Sequence, residues 1–259
     1  MAQSRISDGF QVETMNGAER ALLDILGSVR RPDGYCCTTV DFTRAEAFRR
    51  ERVAQTGVPI TLIDMALRSM AITGATNEVV KTLIDGYKRY RSETLDIGCL
   101  VAAETTVAPI IVFREANKLS LEEIYAQRIE MMAQARTDEA KRIAELDRMT
   151  KFLPDAVRRR LIARFVRDPR NRRKLSGTIQ LSAIELDDME WMCPAHIGGA
   201  LVLSMGGIKE RPVVVDGVVV PRLTALVTFM IDQRIVHPMR AMRIFRRFKR
   251  LIENPEKLG

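Results

Sequence analysis

Only two side chains of the imidazole type, His196 and His237, are present in this 259-residue sequence. A proton-transfer centre working near neutral pH therefore has few candidates. Four cysteines accompany them: Cys36, Cys37, Cys99 and Cys193. Adjacent Cys36 and Cys37 point to opposite faces if they lie on a strand, so they do not readily pair. No C-x-x-C occurs and no metal-ligand set is visible, so no metal is expected. The thiols read as reduced cysteines of a cytoplasmic protein. Cys193 precedes His196 closely enough to permit a nucleophile beside its base. A buried or incidental cysteine is the simpler reading, because nothing else in the sequence supports a nucleophile.

Charge is the second chemical signal. Lys and Arg number 41 against 33 Asp and Glu, a formal charge of +8. The excess concentrates between Arg158 and Lys174, inside a segment of distinct composition at about 152–176. A run of this kind is most often a solvated helical face. It would also attract a phosphate-bearing ligand or an acidic membrane surface. Nucleic acid is not the expected partner, since the only nearby aromatics are Phe152 and Phe165 and no recognition motif is present.

The composition, 46% hydrophobic and 29% charged, excludes a disordered chain and a small disulfide scaffold. The length suffices for one large domain with a sizeable core. No apolar stretch approaches the roughly 18 residues of a membrane span, and no apolar signal region follows Met1. A soluble cytoplasmic protein is the expectation.

The elements that must position any site alternate between the two periods. Residues 1–17 have no clear period and read as a flexible arm ahead of one domain over 18–259. Ala18–Val29 has helical spacing, Pro32-Asp33-Gly34 reads as a turn, and Tyr35–Phe42 reads as a strand. Thr43 is a fair N-cap for a helix to about Thr56 that ends at Gly57. Thr61–Thr73 is a second helix. Asn77–Val80 and Thr82–Leu83 begin an extended stretch, and Leu95–Ala103 and Val107–Phe113 are short strands. Ser120-Leu121-Glu122-Glu123 has the form of a capping box. Val157, Leu161, Ile162, Phe165 and Val166 make an apolar stripe within the basic segment. Strands return at Thr178–Ala183, Ala200–Met205, Val213–Val215, Val218–Val220 and Leu223–Ile231, with Asp216-Gly217 as a hairpin turn. Met239–Ile252 is a basic amphipathic helix. The interleaving indicates one mixed α/β domain.

Three stretches together carry a resemblance. The first is Asp96-Ile97-Gly98-Cys99-Leu100-Val101-Ala102 with Val107-Ala108-Pro109-Ile110-Ile111 and Ala116-Asn117-Lys118-Leu119-Ser120-Leu121-Glu122-Glu123-Ile124. The second is Gly177-Thr178-Ile179-Gln180-Leu181-Ser182 with Gly206-Gly207-Ile208-Lys209-Glu210-Arg211-Pro212-Val213-Val214-Val215-Asp216-Gly217. The third is Asp232-Gln233-Arg234-Ile235-Val236-His237-Pro238 with Leu251-Ile252-Glu253-Asn254-Pro255. In order and spacing they resemble the catalytic domain of the acyltransferase component of 2-oxoacid dehydrogenase complexes. The resemblance implies the two-layer chloramphenicol acetyltransferase-like α/β fold, a large mixed sheet with helices on one side. It also implies a homotrimer with sites between subunits, and transfer of an acyl group between coenzyme A and an acyl-carrier thiol such as dihydrolipoamide.

The family pattern near the C-terminus is D-H-R-x-x-D-G, in which the His is the general base, a Ser or Thr about fifty residues earlier hydrogen-bonds the oxyanion, and the last Asp makes structural ion pairs. Here Ser182 takes the hydroxyl position, and Asp232 and Arg234 match the D and R. Gln233 stands where the base His belongs, and an amide takes no proton at neutral pH. His237 replaces the structural Asp, and Pro238 the Gly. His237 either supplies the lost base or is free to vary; the second is the simpler reading. Ser182 is either an oxyanion donor or an ordinary strand serine. Two functions remain open: an acyl-coenzyme-A-dependent acyltransferase with an altered centre, or an inactive relative serving as an oligomeric scaffold or ligand-binding subunit. The basic segment 152–176 reads as an insertion, expected on the outer rim of a trimer.

Overall fold

The structure is a computed structural model that describes residues 4–7, 10–13, 17, 18, 21, 33–85, 88–100, 109–150, 152–183, 190–196 and 198–259. Its centre is a seven-stranded mixed sheet. β3 (Asp33–Asp41), β6 (Ile97–Leu100), β7 (Ile110–Phe113), β8 (Ile179–Ala183), β9 (Leu201–Met205), β10 (Lys209–Val215) and β11 (Val218–Asp232) build it. Neighbours run β7-β6-β8-β9-β11, with β10 along the first half of β11 and β3 along its second half. β6, β8 and β9 are mutually parallel and the other pairs antiparallel. Two small hairpins lie outside it: β1 (Ser4–Ser7) with β2 (Phe10–Glu13), and β4 (Thr82–Asp85) with β5 (Lys88–Arg91).

Helices α1 (Thr43–Thr56), α2 (Leu62–Ala75), α3 (Leu121–Thr137) and α7 (Pro238–Glu253) accompany the sheet, and one apolar cluster joins them to its inner face. Phe229 of β11 stacks on Phe245 of α7, ring centroids 4.4 Å apart, with Phe248 at 5.7 Å. Such pairs add to the burial of large rings and fix the helix on the sheet. Leu181, Leu203 and Phe229 are fully buried in this cluster. Alternation along each strand sends their neighbours Ser182, Ser204 and Thr228 to the opposite face.

Local chemistry explains several boundaries. Ser120 and Glu123 form the expected box at the head of α3, with the Ser120 N–H donating to Glu123 Oε2 at 2.8 Å and the Glu123 N–H to Ser120 Oγ at 3.1 Å. Gly57 ends α1 at φ 71°, the left-handed region that favours glycine. Asp216 and Gly217, at φ 51° and 81°, make the hairpin between β10 and β11.

Other boundaries differ from the expectation. Asp33-Gly34 is no turn but the start of β3, because the end of β11 pairs with it, Asp232 opposite Asp33. Thr43 does not cap α1: it is the first helical residue, its N–H bonded to Asp41 Oδ1 at 2.8 Å, while its hydroxyl accepts from the Leu223 N–H. Residues 78–81 wind into a single 3-10 turn instead of a strand. Ser4–Ser7 pairs antiparallel with Phe10–Glu13 within the stretch read as an arm. The helix expected at Ala18–Val29 lies outside the described residues except for Ala18 and Ala21, as do Val101–Ala108.

The basic segment forms α5 (Asp155–Arg167) and α6 (Pro169–Ser176), preceded by α4 (Glu139–Thr150). The apolar stripe does not bury as a unit. Val166 is inside, but Val157, Leu161 and Phe165 are 45%, 52% and 51% exposed. Arg158, one helical row away, is buried and paired with Asp155 at 2.7 Å. The helix thus turns positions 158 and 166 inward, two turns apart on one face.

Candidate functional site

The sequence candidates fall at two ends of the sheet. Ser182 lies near the C-terminal end of β8, buried, opposite Ser204 of β9. Ser204 in turn faces Thr228 of β11, and Thr228 faces Cys37 of β3. This polar row runs across the sheet face opposite the core cluster. A segment at 190–196 covers part of it: Trp191 Nε1 donates to Thr228 Oγ1 at 2.6 Å, and the Ser204 hydroxyl donates to the Met192 carbonyl.

Gln233 and His237 flank the tight turn after β11, which runs antiparallel to β9 and so ends at the opposite edge. Asp232 lies four residues beyond Thr228 on β11, and Ser182 lies two strands away. The separation is about 13 Å along the strands and about 10 Å across them. One chain therefore does not bring Ser182 and Gln233 together.

The frame of the turn is rigid. Asp232 is fully buried and grips Arg234 through three bonds: backbone N–H to Oδ1 at 3.0 Å, Nε to Oδ1 at 2.9 Å and Nη2 to Oδ2 at 2.6 Å. This grip raises the Arg234 pKa further. The N–H groups of Ile235 and Val236 both donate to the Asp232 carbonyl at 2.9 Å. Gln233 projects from the turn, exposed, with its amide over Gly34 of the paired strand; a Cβ on residue 34 would stand 2.6 Å from Gln233 Nε2. His237 is exposed at the N-cap position of α7 and makes no side-chain cap bond.

Beside this turn is a pair that sequence reasoning missed. His196 is buried, and its Nδ1 meets Asp33 Oδ1 at 2.9 Å. The partners are 163 residues apart, so no local signal links them. Cys193 is not the partner of His196 in this arrangement. Its thiol pKa is raised by burial, then by the charges of Asp33 and Cys37, which disfavours the nucleophilic thiolate. Burial likewise raises Cys36, and Cys99 is pushed up to about 12. Burial thus disfavours the thiolate at Cys36, Cys99 and Cys193, while Cys37 is exposed. Among the described residues no cluster of His, Cys, Asp or Glu could hold a metal.

A third carboxylate, Asp96, completes the edge. It is fully buried and receives Arg173 Nε at 2.7 Å, Arg114 Nη1 at 3.0 Å, the Thr94 hydroxyl at 2.9 Å and the Glu115 N–H at 3.1 Å. Burial alone would raise its pKa, but these four donors outweigh it and the carboxyl lies below its usual range.

Residues 196–259, which contain the turn and its frame, match the model of the 2-oxoacid dehydrogenases acyltransferase (catalytic domain). The chain has the acyltransferase catalytic-domain fold. Over 96% of its length it superposes on 96% of a probable dihydrolipoamide acetyltransferase from Listeria monocytogenes, at 17% identity and a TM-score of 0.73. The dihydrolipoamide acetyltransferase of Azotobacter vinelandii matches 98% of this chain over 94% of its own, at 18% identity and a TM-score of 0.73. A chain of the cubic core of the pyruvate dehydrogenase multienzyme complex gives 17% identity, the same coverages of 98% and 94%, and a TM-score of 0.73. No curated protein sequence matches the chain. The fold expected from the resemblance is thus the fold observed. Among the described residues no helix is long and apolar enough to cross a membrane.

Proposed function

We propose that the chain is an acyltransferase-family protein that takes an acyl group on coenzyme A and works as a homotrimer, with Gln233 in place of the general base. The observation that carries this reading is the intact frame around a changed residue. Asp232, Arg234 and the turn are in place within the matched segment, while Gln233 stands for the proton-accepting group and His237 and Pro238 for the Asp and Gly of the pattern. In the Azotobacter vinelandii protein a serine, a histidine and an asparagine figure in the catalytic mechanism, the last two four positions apart. Gln233 and His237 have that separation here.

In the proposed reaction the sulfur of an acceptor thiol attacks the thioester carbonyl of acyl-coenzyme A. The new C–S bond forms, the carbonyl oxygen becomes an oxyanion, and the Ser182 hydroxyl donates a hydrogen bond to it. Collapse breaks the old C–S bond, and the coenzyme A sulfur leaves with the proton the acceptor gave up. The Gln233 amide orients the attacking thiol by hydrogen bonding. The proton passes through water, since an amide does not accept it. Thiols ionise near pH 8.5, so a small thiolate fraction is present at neutral pH. If Ser182 acts this way, Ser182→Ala lowers thiol release from acetyl- or longer acyl-coenzyme A by about 10²–10³-fold.

The separation of Ser182 from Gln233 supports a site built by two chains. Tyr35 and Trp191, 60% and 46% exposed, are aromatic anchors available to a neighbour. A cubic core, as formed by one structural relative, has threefold axes through its corners. Light scattering at moderate salt is expected to give a mass near three chains. A mass near one chain overturns the shared site.

A second reading has an observation of its own. Ser182 is 1% exposed, with residues 190–196 laid across its row. A filled pocket favours an inactive scaffold. Absence of acyl transfer from any acyl-coenzyme A, in a preparation that still assembles, supports that reading.

A further inference from the structure

α5 presents to solvent side chains that a helix packed only on its own chain would bury. Val157, Leu161 and Phe165, spaced i, i+4 and i+8, form a half-exposed apolar row. The same helix turns Arg158 and Val166 toward the protein. A second row runs beside the first. Arg160 and Arg164 each precede a member of the apolar row by one residue, and Arg167 continues them. One residue turns a helix by about 100°, so both rows share its outward half. All three arginines are exposed.

The charge on this face is uncompensated. Among the described residues no ion pair involves Arg160, Arg164 or Arg167. The carboxylates at the two ends of the helix are engaged elsewhere: Asp155 pairs with Arg158, and Asp168 accepts the Arg170 N–H at 2.8 Å. An occupant of this face must therefore be apolar along one line and anionic along the next. A second copy of the chain brings the same arginines and repels them. A nucleic acid meets the arginines with phosphates but leaves three apolar side chains without a partner. The boundary of an anionic bilayer supplies acyl chains at one depth and acidic headgroups just above it, the order in which α5 presents its two rows.

We propose that α5 docks the protein on an anionic lipid surface. The helix lies parallel to the membrane plane, with Val157, Leu161 and Phe165 among the upper acyl chains. Arg160, Arg164 and Arg167 bond the headgroup phosphates, and their aliphatic stems cover the edge of the apolar row. With 13 residues, about 20 Å of helix, α5 rests on one leaflet and does not cross the bilayer.

Co-sedimentation of the full chain with vesicles tests the assignment. Vesicles of phosphatidylcholine and phosphatidylglycerol at about two to one are expected to bind at least about tenfold more tightly than phosphatidylcholine alone, at about 0.1 M salt. Leu161→Gln with Phe165→Gln keeps every charge and is expected to weaken that binding at least about tenfold. Arg160→Gln with Arg164→Gln is expected to weaken it as much and to flatten its dependence on salt. Arg243→Gln with Arg247→Gln, on the outer face of α7, removes the same charge without touching an apolar row and should cost less than about threefold. Leu161→Trp supplies a readout that needs no loss of binding: its emission should shift to the blue on the anionic vesicles. The proposal is overturned if the anionic vesicles do not bind, if the Leu161 and Phe165 variant binds as the parent does, if the α7 variant loses as much, or if the new tryptophan stays in water. A self-association that the Leu161 and Phe165 variant abolishes would assign the row to a second copy and equally overturn it. Acyl transfer is not read in this experiment, so its failure leaves that reading standing.

Discussion

Gln233→His combined with His237→Asp and Pro238→Gly is expected to raise acyl transfer from acyl-coenzyme A to a small thiol by about 10²–10⁴-fold, the usual contribution of a positioned general base. The frame needed for that base is already formed. Asp232 and Arg234 hold the turn, and Gly34 leaves the strand surface open beneath the side chain at position 233. At position 237 an aspartate is also a better N-cap for α7 than the histidine, whose side chain makes no cap bond. The pH profile gives a second readout. Without a base, the parent's rate follows the thiolate fraction and rises about tenfold per pH unit below the thiol pKa. With a histidine base the rate should level off above roughly pH 6.5, where the imidazole is neutral. A folded triple variant with no gain would mean that the site serves another purpose.

Asp64→Ala is expected to destabilise the fold by about 3–5 kcal/mol, the cost of leaving a buried charge without its partner. Asp64 is fully buried, and Arg128 is 8% exposed. The two meet as a bidentate pair, Nε to Oδ1 at 2.6 Å and Nη2 to Oδ2 at 3.0 Å, which ties α3 to the head of α2. The same carboxylate accepts from the Thr61 N–H at 2.7 Å in the capping box of α2. Its removal thus strips a cap and strands a guanidinium at once. Urea unfolding followed by circular dichroism measures the loss. Asp64→Leu with Arg128→Met should recover much of it, because neither charge then remains buried. A loss below about 1 kcal/mol for the single variant would show that Arg128 escapes to water.

What could be read without coordinates is the part governed by near neighbours. Ser120 and Glu123 cap α3 because their groups lie one helical turn apart. Gly57 and Gly217 accept positive φ where other residues resist it. The order of Gly177–Ser182, the Asp216-Gly217 hairpin and Asp232-Gln233-Arg234 carried the fold, since motifs in register reflect the whole arrangement even when each is short. The replacement of a base by Gln233 is legible for the same reason: it is a change of residue type at a fixed place.

Contacts between distant residues decided the rest. Strand pairing with the end of β11 made Asp33 part of β3 and not a turn, and it brought Asp33 to His196. The rotation of α5 buried Arg158 and exposed Leu161, because helical spacing defines two faces but does not say which one meets the protein. The grouping of Arg91 with Arg170 and Lys174 joins a hairpin to a helix some eighty residues later. The separation of Ser182 from Gln233 is likewise a matter of strand order and direction. Composition and motif determined the kind of fold and the identity of the altered residue, through chemistry that acts within a turn or two of chain. Only the packed sheet could determine which side chains share an edge, because that depends on register between strands that the sequence keeps far apart.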